Sequence, residues 1–128
     1  MERLPAFRLS HPTSYAEAAA LLATDPGARL LGGGTDLVPN LRRGLEAPPQ
    51  LVHLGRVQGA DRIDFHAAGL VLGAGVTLAQ LAADARIARD HTALAQAAHA
   101  AAGPGHRSVA TLGCNLCLDT RCVFYNQS

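Results

Sequence analysis

The run Leu30-Leu31-Gly32-Gly33-Gly34-Thr35-Asp36-Leu37 stops an apolar stretch at three consecutive glycines and restarts it after a polar pair. It reads as a strand end, a tight loop and a helix start. Glycines strip every Cβ from the turn, so successive backbone N–H groups can face one concavity, a geometry suited to an anion such as phosphate. A plain strand-to-helix connection would use the same residues. The run lacks the Gly-Lys-Ser/Thr of a P-loop, and neither it nor Gly73-Ala74-Gly75 completes Gly-x-Gly-x-x-Gly. Asp36 would repel a phosphate unless its carboxylate capped the helix or bonded a ligand hydroxyl.

Working outward, the spacing of Ser14 and Glu17 is that of a capping box. It predicts a helix whose inner stripe is Tyr15, Ala18, Ala19 and Leu22, ended by Asp25-Pro26-Gly27. Residues 28–31 then form a buried strand. Thr35 or Asp36 caps a second helix, with Leu37 and Leu41 inward, Pro39 in its first turn, and Arg42, Arg43 and Gly44 suited to its C-terminus. After Pro48-Pro49, residues 50–54 read as another strand, and residues 6–9 as an extended first one. This is an α/β pattern.

The pattern then changes. Residues 62–65 and 70–73 flank His66-Ala67-Ala68-Gly69 as an antiparallel hairpin. Thr77 and Gln80 repeat the capping-box spacing before a helix over 77–84 with Leu78, Leu81, Ala82 and Ala85 inward. Residues 92–102 form an alanine-rich helix with Leu94, Ala97, Ala98 and Ala101 on one face, stopped by Gly103-Pro104-Gly105. There is no internal repeat.

The chain has 128 residues, 48% apolar, with a formal charge of +1, which allows one globular domain or part of one. Scattered arginines at near-zero net charge argue against a nucleic-acid surface. No apolar window approaches a membrane span and no signal-like segment leads the chain, so a cytoplasmic protein is expected. The cysteines are Cys114, Cys117 and Cys122, too few and too bunched for a secreted disulfide framework, and they suggest metal or redox chemistry. Cys114-x-x-Cys117 lacks the second pair a zinc site needs, an iron–sulfur cluster needs four thiolates, and Cys117 in its apolar context reads as a buried core residue. The histidines read as surface or capping residues. No nucleophile, base and orienting group are in place, so no catalytic residue is assigned. The apolar and aromatic residues up to Ser128 lack terminating logic, and a truncated chain is expected.

The glycine run, taken with Thr111-Leu112-Gly113-Cys114-Asn115-Leu116, resembles the paired flavin loops of the FAD-binding subunits of the xanthine dehydrogenase and molybdenum hydroxylase family. The resemblance spans essentially the whole chain. It implies a PCMH-type FAD-binding fold of α+β class, with a small α/β subdomain over 1–55 and an incomplete α+β subdomain over 56–128. In that family the two loops approach the FAD pyrophosphate from two subdomains. The implied cofactor contacts are Gly33, Gly34 and Thr35 on the diphosphate, with Leu31, Gly32, Asp36 and Leu37 nearby, and Thr111, Gly113, Cys114 and Asn115 on the second loop. Cys114 stands where the family usually has a glycine. If that glycine serves a left-handed backbone, a Cβ there costs about 1 kcal/mol, and a side chain facing the diphosphate would obstruct it.

Residues 115–127, which include Asn115, Cys117 and Cys122, further resemble the flavin subunit of 4-hydroxybenzoyl-CoA reductase and its relatives. That likeness implies a surface [4Fe–4S] cluster with Cys122 as its first ligand and the others further along a complete chain. It also implies a heterotrimer with a molybdenum-cofactor subunit and a [2Fe–2S] subunit, receiving electrons from ferredoxin and removing a phenolic hydroxyl reductively. Two other readings stay open: a generic hydroxylase-type FAD subunit, and a fragment with only a structural role.

Overall fold

A computed structural model of the chain describes residues 3–118. Cys122 and the rest of the cysteine-bearing run beyond Leu118 lie outside the described residues. The first half alternates strand and helix: β1 (Arg8–Ser10), α1 (Tyr15–Thr24), β2 (Arg29–Leu31), α2 (Leu37–Arg42) and β3 (Gln50–His53). The strands form one parallel sheet in the order β1-β3-β2, with Leu9 opposite Leu51 and Leu30 opposite Val52. As the central strand, β3 is covered on both faces, and Leu51 and Val52 are 1% and 0% exposed although they point to opposite sides. Gln50, buried beside them, is satisfied by the Ser10 hydroxyl and the Arg8 guanidinium.

The second half opens with the antiparallel hairpin of β4 (Ile63–His66) and β5 (Gly69–Leu72), registered Ile63 to Leu72 and His66 to Gly69. Five short helices follow: α3 (Leu78–Ala83), α4 (Ala85–Asp90), α5 (Thr92–Ala100), α6 (Pro104–Arg107) and α7 (Leu112–Leu116). Val76, Leu78, Leu81, Ile87, Ala95, Ala98 and Ala110 close its core, and Ile63, Phe65, Leu70 and Leu72 of the hairpin pack against it. A smaller cluster of Ala18, Ala28 and Val52 holds α1 on the parallel sheet. Each fully buried aliphatic side chain of this kind contributes about 1.5–3 kcal/mol. The mixed architecture is the α+β arrangement expected. Among the described residues no helix is long and apolar enough to cross a membrane.

Several local expectations are corrected. At α1 only half of the capping box forms: the Ser14 hydroxyl accepts from the Glu17 N–H, but the Glu17 carboxylate turns back to the N–H and hydroxyl of Thr13. Tyr15 and Ala19 are exposed because α1 meets the sheet through Ala18, with Leu21 and Leu22 half-buried. The box at Thr77 and Gln80 is complete. Its helix stops at Asp84, whose carboxylate accepts from the N–H groups of Arg86 and Ile87 and starts α4, so Ala85 begins a new helix and Ile87 becomes the core residue. In α5 the buried face is Ala95 and Ala98 with Leu94 alongside, and Ala97 faces out. The stretch expected as a second loop is a helical turn, α7, with Thr111 at its N-cap position. Cys117 lies just beyond that turn, which reaches the core through Leu112, and the cysteine is exposed.

Candidate functional site: a cleft beside the glycine turn

The turn leaves the carboxyl end of β2, the side on which open parallel sheets bind ligands. Gly34 has φ +74°, a left-handed conformation that glycine adopts without penalty. Leu37–Arg42 then begins, with Asp36 at the N-cap position but no side-chain capping bond. Gly33, Gly34 and Thr35 donate no backbone hydrogen bond among the described residues. All three line an open cleft of about 440 Å³ whose walls also include Val38, Pro39 and Arg42 of α2, and Gly105, His106 and Val109 around α6. Consecutive amide donors without partners beside an open cleft can donate to an anionic oxygen cluster. Among the described residues no carboxylate lines the cleft walls.

The second glycine segment does not share those walls. It is docked from behind: the N–H groups of Leu112 and Gly113 donate to the carbonyls of Val76 and Ala74, and Thr111 bridges Thr77. Gly113 is required there by packing, because a Cβ would stand 2.7 Å from the Ala74 Cβ. Its contact with the first turn runs through side chains. A Cβ on Gly32 would stand 2.5 Å from Cys114 Sγ and 2.7 Å from Thr111 Oγ1, and one on Gly33 would overlap the Val109 carbonyl oxygen. The Cys114 thiol thus sits over Gly32 and is no part of the cleft lining. Residue 114 is helical, and Ala102 is the one non-glycine with positive φ among the described residues, so the anticipated left-handed strain at Cys114 is absent. Asn115 is exposed, while Leu31, Gly32, Asp36 and Leu37 are half-buried around the turn.

Sequence reasoning left the cleft's side chains out of the site: Arg42, like Arg43, could reach a phosphate, but its place at the helix C-terminus already explained it, although Val38 and Arg42 are four apart on a helix and share a face. His106 had no such signal, because only the tertiary fold brings α6 to the turn. A histidine pair also escaped notice. His53, at the end of β3, meets His11 edge to face with ring centroids 5.2 Å apart and the Nδ1 atoms 3.2 Å apart. Burial, followed by the charge of His11, lowers the His53 pKa from 6.5; Arg56 adds to this, and a hydrogen bond to the Gly32 backbone opposes it. Among the described residues no group of three or more His, Cys, Asp or Glu is arranged to hold a metal.

The family described as the FAD binding domain in molybdopterin dehydrogenase matches this chain over residues 5–122. The chain belongs to that family. Among relatives of this FAD-binding domain, the aldehyde oxidoreductase FAD-binding subunit PaoB of Escherichia coli K12 is 35% identical over 123 residues, covering 95% of this chain and 38% of that protein. The nicotine 6-hydroxylase medium subunit of Paenarthrobacter nicotinovorans is 32% identical over 114 residues, covering 89% and 40%. The crystal structure of quinoline 2-oxidoreductase from Pseudomonas putida 86 superposes with a TM-score of 0.85 at 34% identity, again over 89% of this chain and 40% of that one. The FAD-binding domain described here therefore spans about two fifths of the length of these relatives. Its glycine turn offers a flavin diphosphate unpartnered amides on a cleft whose described lining holds no carboxylate, and the one large departure, Cys114, lies over Gly32 and outside that described lining.

Proposed function

We propose that this chain is the FAD-holding part of an electron-transferring oxidoreductase subunit that works beside a molybdenum-cofactor subunit and an iron–sulfur subunit. The observation that carries the flavin site is the set of unpartnered amides of Gly33, Gly34 and Thr35 on the cleft. In this reading they hold the diphosphate, with Leu31, Gly32, Asp36 and Leu37 fixing the turn. Thr111 and Cys114 back the turn at Gly32, with Gly113 and Asn115 on the same segment, and the boundary between subdomains falls near residue 55. Bound FAD supplies the one- and two-electron chemistry; the protein supplies binding and orientation. Support for partners comes from relatives named as subunits: a FAD-binding subunit of an aldehyde oxidoreductase and a medium subunit of a nicotine hydroxylase.

The finer assignment, a reductase of the 4-hydroxybenzoyl-CoA type fed by ferredoxin through a [4Fe–4S] cluster, rests on the sequence likeness of residues 115–127 alone, with Cys122 as the first ligand. Two measurements separate the layers. Flavin absorbance of the purified full-length subunit tests the FAD site, and a colourless protein that takes up no added FAD refutes it. Iron and sulfide analysis with and without Cys122→Ala tests the cluster, and equal iron in both sinks that assignment while leaving the flavin reading intact.

A further inference from the structure

The three parallel strands end together, and their register decides which side chains meet at that edge. Ser10 of β1 lies opposite Val52 of β3, and Leu31 of β2 lies opposite His53. One residue past Ser10, His11 therefore comes level with His53, while Gly32 follows Leu31 on the other side of the central strand. The two imidazoles meet there with their Nδ1 atoms 3.2 Å apart and their planes 88° apart. His11 is exposed, so the meeting point is open to solvent.

The His53 ring is held from two directions. It folds back over Gly55, where an added Cβ would stand 2.6 Å from its Cε1 and 3.1 Å from its Nε2. It also hydrogen-bonds the Gly32 backbone, a bond that favours the protonated ring and is therefore donated by it. A ring N–H donated to the backbone is what usually fixes a metal-ligating histidine. Two nitrogens bound at about 2.0–2.1 Å to one tetrahedral zinc ion stand about 3.3 Å apart, close to the 3.2 Å between these rings.

We propose that His11 and His53 form a binding site for a borderline divalent cation such as zinc at the carboxyl edge of the parallel sheet, tying the chain after β1 to the end of β3 beside the glycine turn. Imidazole nitrogen suits zinc, copper and nickel, whereas calcium and magnesium take oxygen donors. Among the described residues no third His, Cys, Asp or Glu joins the pair. Water fills the remaining positions, and the site binds more weakly than a structural centre with four protein ligands. The Arg56 charge, which bears on the same ring, weakens it further. This site needs no flavin and stands or falls apart from the proposed function.

The test is calorimetric titration of the full-length subunit with zinc chloride. Sites elsewhere in the full chain bind equally in every variant, so the measured quantity is the difference from wild type. Loss of an outer partner of a metal ligand weakens binding about 10–100-fold, so His11→Ala and His53→Ala, which remove a ligand itself, should each weaken one zinc-binding event at least about tenfold. His11 is exposed and its replacement spares the fold, which keeps the test decisive if His53→Ala unfolds. Gly55→Ala keeps both imidazoles but pushes the His53 ring aside, and should weaken the same event about tenfold. Arg56→Gln should strengthen it about twofold by removing a partly screened repulsion. Magnesium chloride should give no His11-dependent heat. Zinc binding unaffected by His11→Ala, or retained in full by Gly55→Ala, would overturn the proposal. So would inorganic phosphate binding that His11→Ala and Arg56→Gln both abolish, since that would mark the pair as an anion site.

Discussion

Gly33→Ala perturbs the point where the glycine turn leans on the segment before α7. The new Cβ would overlap the Val109 carbonyl oxygen and stand 3.0 Å from the Ala110 nitrogen. Both are backbone atoms, so no side chain can swing aside to make room. Overpacking of this kind costs about 1–3 kcal/mol, and the reduced freedom of an alanine in the unfolded chain returns about 0.4–1 kcal/mol. The net loss is about 1–2 kcal/mol, which for a domain of this size lowers Tm by about 4–8 °C. Thermal unfolding followed by circular dichroism measures it, with Gly105→Ala as the matched control. Gly105 also lines the cleft, but a Cβ there meets no atom within 4 Å, so its Tm should hold. Because the strain falls on the turn itself, Gly33→Ala should also weaken flavin uptake. A Gly33→Ala protein melting with wild type would mean that the turn and Val109 are not in close approach, and the account of the cleft would fail with it.

Three further outcomes are expected. Cys114→Gly should lower stability by about 0.3 kcal/mol, since residue 114 is helical and glycine is a somewhat poorer helix former than cysteine; urea unfolding showing a gain instead would restore a left-handed requirement at that site. His53 has a folded-state pKa below 6.5, so its neutral form is the one the fold prefers. Its contribution is therefore complete above pH 6.5 and is lost as pH falls below that value toward the depressed pKa; His53→Gln should flatten the pH dependence of Tm in that window, and an unchanged slope would assign it elsewhere. Asp84→Ala removes the oxygen that accepts from Arg86 and Ile87, at 2.8 and 2.9 Å, and should cost about 1–2 kcal/mol by denaturant unfolding. Less than about 0.3 kcal/mol would show that α4 is held by Ile87 packing alone.

How much of this was legible depended on how local each cause is. The parallel sheet announces itself because Leu51 and Val52 form an apolar run between breakers, and the Thr77 box because both partners lie within one turn. Tyr15 and Ala97 have helical spacing yet face outward, since periodicity fixes which residues share a stripe without saying which stripe meets the core. α4 was hidden because Asp84 ends one helix and starts another, which a continuous apolar period conceals. α7 was hidden because Gly113, Cys114 and Asn115 are weak helix formers, and the turn is held by tertiary bonds to Ala74 and Val76. The order of the two glycine motifs was enough for the family. It could not show that the second motif buttresses the first, or that Arg42 and His106 form the walls.

The contact between Gly33 and Val109 joins points far apart in the chain, with most of the larger core threaded between them. Bringing together the ends of a loop of that length costs about 4 kcal/mol of chain entropy, much of it met by the intervening elements. A ligand that grips both walls of the cleft acts as a reversible staple across that loop. By mass action its binding adds directly to the resistance of the fold to unfolding, about 2.7 kcal/mol at a free concentration a hundredfold above Kd. Melting temperature then becomes a gauge of cleft occupancy, readable in protein whose redox partners are absent.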